Sequence, residues 1–272
     1  MKNDILKAVR GMKDGLPKDD LTRQTIASKI IHQTQLFDYA EIKLPLVEYA
    51  EVFTRGIGMD TDVINKEMYS FQDRNGEWLS LRPEGTAGCV RAVIENNLLT
   101  SAPLKLWYFG EMFRYERPQK GRQRQFNQFG FELFGVKQVS AEFEIICLVE
   151  EIWKTLGLDD LRLEINSLGS DKDRIQYSQA LKSYFGKYKN EFDQSTTETF
   201  ERNPLRLLDS KNLVIRELKK EAPQISQFLS KESHKRIARL EEILAFNCIK
   251  TKINPHLVRG LDYYSDIVFE WK

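Results

Sequence analysis

Apolar residues in the first forty positions recur at helical spacing. Ile26, Ile30 and Ile31 form a stripe, and Pro17 with Asp19-Asp20 gives a start signal, so a helix is predicted over residues 21–37. Residues 39–48 read as a strand that ends or bends at Pro45. In residues 67–82, Met68-Tyr69-Ser70-Phe71 and Trp78-Leu79-Ser80-Leu81 flank Asn75-Gly76, a short-range hairpin signal. A helix should follow over residues 86–95, burying Ala87, Val90, Val93 and Ile94. A longer hairpin is predicted over residues 104–134, then a helix over 140–155 with Ser140 as its cap and acids in its first turn. Residues 161–166 alternate like a half-buried strand.

The texture changes after Gly169. Residues 171–247 read as polar, Lys- and Glu-rich helices broken near Asn203-Pro204 and Ala222-Pro223, and strand-like sequence resumes at 249–270. This pattern predicts an inserted helical domain at 171–247 between core segments 1–170 and 248–272. Hairpins mixed with helices indicate an α+β fold with a largely antiparallel sheet. No internal repeat or low-complexity tract stands out.

Composition narrows the class. The 272 residues carry 41 Lys+Arg and 40 Asp+Glu, a net charge of +1, with 41% hydrophobic and 30% charged residues, as in an ordinary globular protein. No apolar run reaches the roughly 18 residues of a membrane span, and Met1-Lys2-Asn3-Asp4-Ile5 lacks a signal-peptide stretch. Cys89, Cys147 and Cys248 are odd in number and lack metal-ligand spacing, which fits a reducing cytoplasm and not a disulfide scaffold. The near-zero net charge hides a basic loop of Arg117, Lys120, Arg122 and Arg124, and an acidic stretch of Glu142, Glu144, Glu150 and Glu151.

The candidate chemistry concentrates on the long hairpin. Alternate residues of a strand share a face, so Gly110, Met112, Arg114 and Glu116 go together, as do Gln128, Gly130 and Glu132. Glycines beside polar groups leave room for a small molecule. Glu132 suits an ammonium, Gln128 a polar group, and Arg114 a phosphate or carboxylate. A solvated sheet face with cross-strand ion pairs fits the same spacing. The basic loop suits a polyphosphate or nucleic-acid backbone, or is a soluble hairpin tip. In Leu81-Arg82-Pro83-Glu84-Gly85-Thr86, Glu84 and Thr86 sit where side chains can point across a cleft, although Thr86 also suits a helix cap. Arg259-Gly260-Leu261-Asp262-Tyr263-Tyr264 places an arginine and two aromatics in an apolar stretch; an Arg259–Asp262 pair at a bend is the plainer alternative. No GxxxxGK, GxGxxG or HExxH motif is present, and His32, His234 and His256 are scattered, so any ATP site is of another kind and no metal ligand is assigned.

Taken in order, these segments resemble the catalytic part of the class II aminoacyl-tRNA synthetases and, among them, the histidyl-tRNA synthetase family. The resemblance runs over essentially the whole chain. It starts at Arg10-Gly11-Met12-Lys13-Asp14 with Leu16-Pro17, and includes a first class motif around Leu44-Pro45-Leu46-Val47-Glu48. The second is Phe113-Arg114-Tyr115-Glu116-Arg117-Pro118 continuing to Arg124-Gln125-Phe126-Asn127-Gln128. The histidine signature is Leu257-Val258-Arg259-Gly260-Leu261-Asp262-Tyr263-Tyr264.

The resemblance implies the class II catalytic fold, an antiparallel sheet flanked by helices with a helical insertion, and a homodimer built partly through the first motif. It implies a two-step reaction in which ATP and L-histidine give histidyl-adenylate, whose histidyl group passes to tRNA(His). ATP with Mg²⁺ is a substrate complex; no tightly bound cofactor and no membrane are implied. Arg114 and Arg259 are the implied catalytic residues, Arg114 at the α-phosphate and the histidine carboxylate, Arg259 compensating charge at the α-phosphate. Glu116 and Arg122 serve adenine and the distal phosphates. Glu84, Thr86, Gln128 and Glu132 bind the amino acid, and Tyr264 lines the imidazole pocket.

Two departures accompany the resemblance. Asn127 stands where the family commonly has histidine, on the face opposite Gln128. The sequence ends at Lys272, ahead of the family's third motif and anticodon-binding domain, so weak or absent aminoacylation is expected of these residues alone. One alternative is a non-catalytic synthetase paralogue that regulates ATP phosphoribosyltransferase; the retained Arg114, Gln128, Glu132 and Arg259–Tyr264 signature argues against it. A free-standing nucleic-acid module is disfavoured by the lack of a broad basic surface.

Overall fold

Pro17 at the first helical position, with Asp19 and Asp20 in the first turn, starts α1 (Pro17–Leu36) four residues earlier than expected. The computed structural model describes residues 6–58, 61 and 63–272; Met1-Lys2-Asn3-Asp4-Ile5, whose lack of a signal stretch was noted above, lie outside the described residues. By contacts the chain divides into two units, residues 1–159 and 160–272.

In the first unit α1 buries Ala27, Ile30 and Thr34. Ile31 packs at the margin, whereas Ile26 is 41% exposed, so the buried stripe is narrower than the isoleucines suggest. Pro45 lies between two short strands where one was expected: β1 (Ala40–Glu41) and β2 (Val47–Tyr49) enter different sheets. The reason is local. The Arg82 guanidinium takes the Leu44 carbonyl at 2.7 Å, the Arg82 N–H takes that of Leu46 at 2.9 Å, and proline has no N–H to continue a ladder.

A helix α2 (Ala50–Ile57) leads to the expected hairpin of β3 (Tyr69–Gln72) and β4 (Trp78–Leu81). Its turn needs Gly76 at φ +87°, and Asp73 Oδ1 accepts from the Asn75 and Glu77 N–H groups. α3 (Thr86–Glu95) has the expected bounds but a rotated buried face. Ala87, Gly88, Cys89, Ala92 and Val93 are inside; Ile94 is 73% exposed and Val90 lies outside too. The small residues lie where neighbours come close, Ala87 against Gly56 of α2, while Val93 packs beside Leu106, Tyr108 and Met112.

The long hairpin is β5 (Leu104–Phe113) and β6 (Gln125–Phe134), ten residues each. α4 (Ser140–Leu156) closes the unit; its N-cap is Val139 without a side-chain bond, so Ser140 is the first helical residue and not the cap. One face of the hairpin packs with α1 and α4 around Ile30, Tyr39, Trp107, Leu148 and Ile152. The other packs with α3 around Cys89, Val93, Leu106, Tyr108 and Met112.

The second unit holds β7 (Leu163–Ser167), α5 (Asp171–Phe185), α6 (Gln194–Arg202), α7 (Leu213–Leu218), α8 (Lys231–Phe246), β8 (Thr251–Ile253) and β9 (Ile267–Trp271). β7 is buried at all five positions, not half-buried as alternation suggested, because it is the central strand between β8 and β9. The sheets are mixed: β5–β6, β2–β4–β3 and β7–β9 are antiparallel, but β1–β5 and β7–β8 are parallel. Among the described residues no helix is long and apolar enough to cross a membrane.

Candidate active site

Register brings the polar residues of the hairpin to one face. Leu106 pairs with Glu132, Tyr108 with Gly130, and Gly110 with Gln128, and opposite residues of an antiparallel pair share a side. Tyr108 leans across Gly130: a Cβ there would lie 2.0 Å from its Cζ, and one on Gly85 would lie 2.2 Å from its Cε2. Two glycines thus make a slot for one phenol. Replacing Gly130 with alanine is expected to cost about 1–3 kcal/mol through overpacking, and to displace the Tyr108 hydroxyl. Denaturant unfolding measures this; an unchanged midpoint would mean that the slot is not tight.

The phenol ends in a cluster of carboxylates and hydroxyls. Thr86 Oγ1 donates to Glu132 Oε1 at 2.7 Å, and the Tyr108 hydroxyl donates to the same oxygen at 3.3 Å. Glu84, 2% exposed, turns toward α3: its Oε2 accepts from the Thr86 N–H at 2.6 Å and its Oε1 from the Ala87 N–H at 2.9 Å. Glu84 therefore does the capping work that Thr86 was suited for, which leaves the Thr86 hydroxyl for Glu132. Burial, with the Glu84 carboxylate nearby, pushes Glu132 up to about 7 against the two hydrogen bonds. Gln128 Oε1 is buried without a hydrogen-bond partner among the described residues, an acceptor oriented for a donor from elsewhere.

Arg114 lies at the end of this hairpin. Its Nε donates to the Pro83 carbonyl at 2.8 Å, and its guanidinium carbon stands 5.3 Å from the Phe126 ring centroid. One bond and one stacking contact fix the plane of the fork. Gly110 is bare for a related reason, since a Cβ would meet Arg82 Nη2 at 2.1 Å.

The remaining expected residues are placed differently. Glu116 accepts from Arg122 Nη1 at 2.8 Å, an ion pair within the loop that joins β5 and β6. In the basic loop Arg124 stacks on Tyr115 at 3.6 Å, while Arg117 and Lys120 are exposed. Arg259 and Tyr264 belong to the second unit, where the Arg259 guanidinium stands 5.3 Å from the Tyr264 ring centroid. The plainer Arg259–Asp262 pair does not form, because Asp262 pairs with Arg206 at 2.6 Å. Among the described residues no group of three or more His, Cys, Asp or Glu side chains is arranged to hold a metal.

Sequence reasoning passed over Tyr108. A usable signal existed: it lies on the same strand face as Gly110, and an aromatic beside glycines on such a face has somewhere to lie. Arg82, the tie between β4 and the Leu44 segment, had no such signal.

The family model described as Histidyl-tRNA synthetase matches residues 11–271. The chain belongs to the histidyl-tRNA synthetase family. It is 46% identical over 271 residues to the histidine--tRNA ligase of Buchnera aphidicola subsp. Schizaphis graminum, covering 99% of this chain and 63% of that one. It resembles the apo histidyl-tRNA synthetase of S. aureus with a TM-score of 0.76 and 33% identity, over 98% of this chain and 61% of the other. The chain therefore spans less than two thirds of the length of these relatives. A Bacillus halodurans C protein described as an ATP phosphoribosyltransferase regulatory subunit/histidyl-tRNA synthetase shares the fold, with a TM-score of 0.71 and 24% identity over 100% of this chain and 73% of that one. Family membership gives the chain the class II catalytic fold, with a mixed sheet where a largely antiparallel one was expected.

Proposed function

We propose that the chain carries the catalytic part of a histidine–tRNA ligase, which activates L-histidine with ATP and passes the histidyl group to tRNA(His). The observation that carries the reading is the cluster on the glycine-side face. Glu132 is held by Thr86 and Tyr108, next to Glu84, on the strand face where Gln128 has a buried, unpartnered oxygen. Two carboxylates that resist sharing full negative charge suit a ligand ammonium, which neutralises them. Glu84, Thr86, Gln128 and Glu132 bind the amino acid in this reading, and Tyr264 lines its imidazole pocket.

The activation step joins two anions, a histidine carboxylate oxygen and the α-phosphorus of ATP, as the bond from the α-phosphorus to the bridging oxygen breaks and pyrophosphate leaves. The nucleophile is already deprotonated, so the protein must supply fixed positive charge rather than a base. Arg114 and Arg259 take that role, with ATP bound as its Mg²⁺ complex. Glu116 and Arg122, the arginine half exposed, exchange their mutual ion pair for adenine and the distal phosphates. The proposed organisation is a catalytic core of residues 1–170 and 248–272 around a helical insertion of 171–247. The protein acts in the cytoplasm as a homodimer. Val47, Tyr49 and Phe71, exposed on one face of the β2–β4–β3 sheet, support a partner subunit there.

The test is histidine-dependent ATP–pyrophosphate exchange by the full-length protein. Exchange with histidine and not with other amino acids is expected. Histidine binding without exchange would replace this reading with that of a non-catalytic regulatory paralogue.

A further inference from the structure

The segment from Leu257 to Tyr264 is non-helical and joins no strand, so its carbonyls need partners outside regular structure. Three side chains from elsewhere in the second unit provide them. Asn166 Nδ2 on β7 donates to the Leu257 carbonyl at 3.0 Å. Arg206 Nη1 donates to the Arg259 carbonyl at 2.7 Å, and its Nη2 to Asp262 Oδ1 at 2.6 Å. Arg174 Nη1 donates to the Tyr264 carbonyl at 2.6 Å and reaches that of Asp262 at 3.4 Å, while its Nη2 pairs with Asp171. Both arginines come from the helical stretch, Arg174 on α5 and Arg206 on the short 3-10 segment Pro204–Asp209.

We propose that Arg174 and Arg206 are positioning residues for histidine activation: they clamp the backbone at Arg259, Asp262 and Tyr264 and so set where the Arg259 guanidinium and the Tyr264 ring stand. A planar fork can bridge two acceptors at fixed separation, which an ammonium cannot. The clamped carbonyls belong to the two residues whose side chains form the stacked Arg259–Tyr264 pair, so loosening either clamp moves a working side chain. Asp262, in the middle of the signature, works as an anchor for Arg206 and not as a substrate ligand. The helical stretch is therefore structurally required for the chemistry of the signature loop, apart from any partner of its own. The inference rests on the roles proposed above for Arg259 and Tyr264.

The test uses the full-length protein and pyrophosphate exchange with histidine and ATP titrated separately. Arg206→Met and Arg174→Met, which keep the aliphatic stem, are each expected to lower kcat/KM for histidine about ten- to a hundredfold, the scale of a small misplacement of reacting groups. The KM for ATP should stay within about twofold, and Arg206→Lys should recover part of the loss. Tyr184→Phe is the control, since it removes a 2.9 Å bond to the Leu218 carbonyl in the same helical stretch and keeps the ring, while the lost hydroxyl bonds to the Leu218 carbonyl and not to the signature. Wild-type kinetics in both methionine variants would overturn the clamp, as would an equal loss in Tyr184→Phe. Lack of histidine-dependent exchange in the unmodified protein would instead overturn the proposed function, and the positioning role with it.

Discussion

Replacing Glu132 with glutamine is expected to give a more stable protein that captures histidine poorly. Its carboxyl titrates at about 7 when folded, against an ordinary value of 4.5. Between those values the folded chain holds more protons than the unfolded one, so stability is lost as pH rises from about 4.5 to about 7. The loss is of order 1–3 kcal/mol at about pH 8. A glutamine accepts the same bonds from Thr86 and Tyr108 through its carbonyl oxygen but never has to ionise. Thermal unfolding at about pH 8 should therefore rise by a few degrees. The ammonium loses its charged partner, worth about 1.5–3 kcal/mol, so the KM for histidine should rise roughly ten- to a hundredfold. An unchanged KM would remove Glu132 from the site.

The same titration predicts an acid limb. Below about pH 7, kcat/KM for histidine should fall toward tenfold per unit, because the ammonium needs the ionised carboxylate. The histidine side chain titrates nearby, so the informative comparison is with Tyr108→Phe. Losing that hydroxyl removes one bond that favours the charged form and should move the limb to higher pH. A change in substrate protonation would be identical in both proteins.

Arg259→Ala is expected to lower histidine-dependent exchange about a hundred- to a thousandfold, the cost of losing one donor at a developing charge, about 2.7–4 kcal/mol. The loss should fall on kcat, because the negative charge the arginine meets builds up in the transition state. The variant isolates the side chain well. Arg206 binds the Arg259 carbonyl, which alanine keeps, so the loop backbone stays clamped. Near-normal exchange would end the assignment of Arg259 as a catalytic residue. The contrast with Arg206→Met is informative as well: one variant removes the charge and keeps its mount, and the other does the reverse.

Much of the fold was legible because it depends on local rules. The Asn75-Gly76 turn, the ten-residue strands on either side of the basic loop and the helix at 86–95 follow from turn chemistry and periodicity over a few residues. The errors share one cause. Periodicity shows that a helix has an apolar side but not how close its neighbour comes. Folding buried Cys89 and Ala92 of α3 rather than Val90 and Ile94, and Ala27 and Thr34 of α1 rather than Ile26. The split at Pro45 was equally out of reach, since it depends on Arg82, far along the chain.

The candidate site divides in the same way. Strand parity alone put Gln128, Gly130 and Glu132 on one face and Arg114 with Gly110 on another, and motif order pointed to the family. That parity says nothing of register, and only the pairing of Gly110 with Gln128 made the two faces one surface. Only packing made Glu84 the cap of α3, which left the Thr86 hydroxyl to Glu132, and brought Tyr108 through a slot between two glycines. Only packing, too, brought Arg174 and Arg206 to a loop dozens of residues away. A residue's type and its near neighbours can be read along a chain, because steric and hydrogen-bonding preferences act over a few bonds. Which carboxylate meets which hydroxyl is settled when distant segments compete for one small volume, and that competition exists only in the folded state.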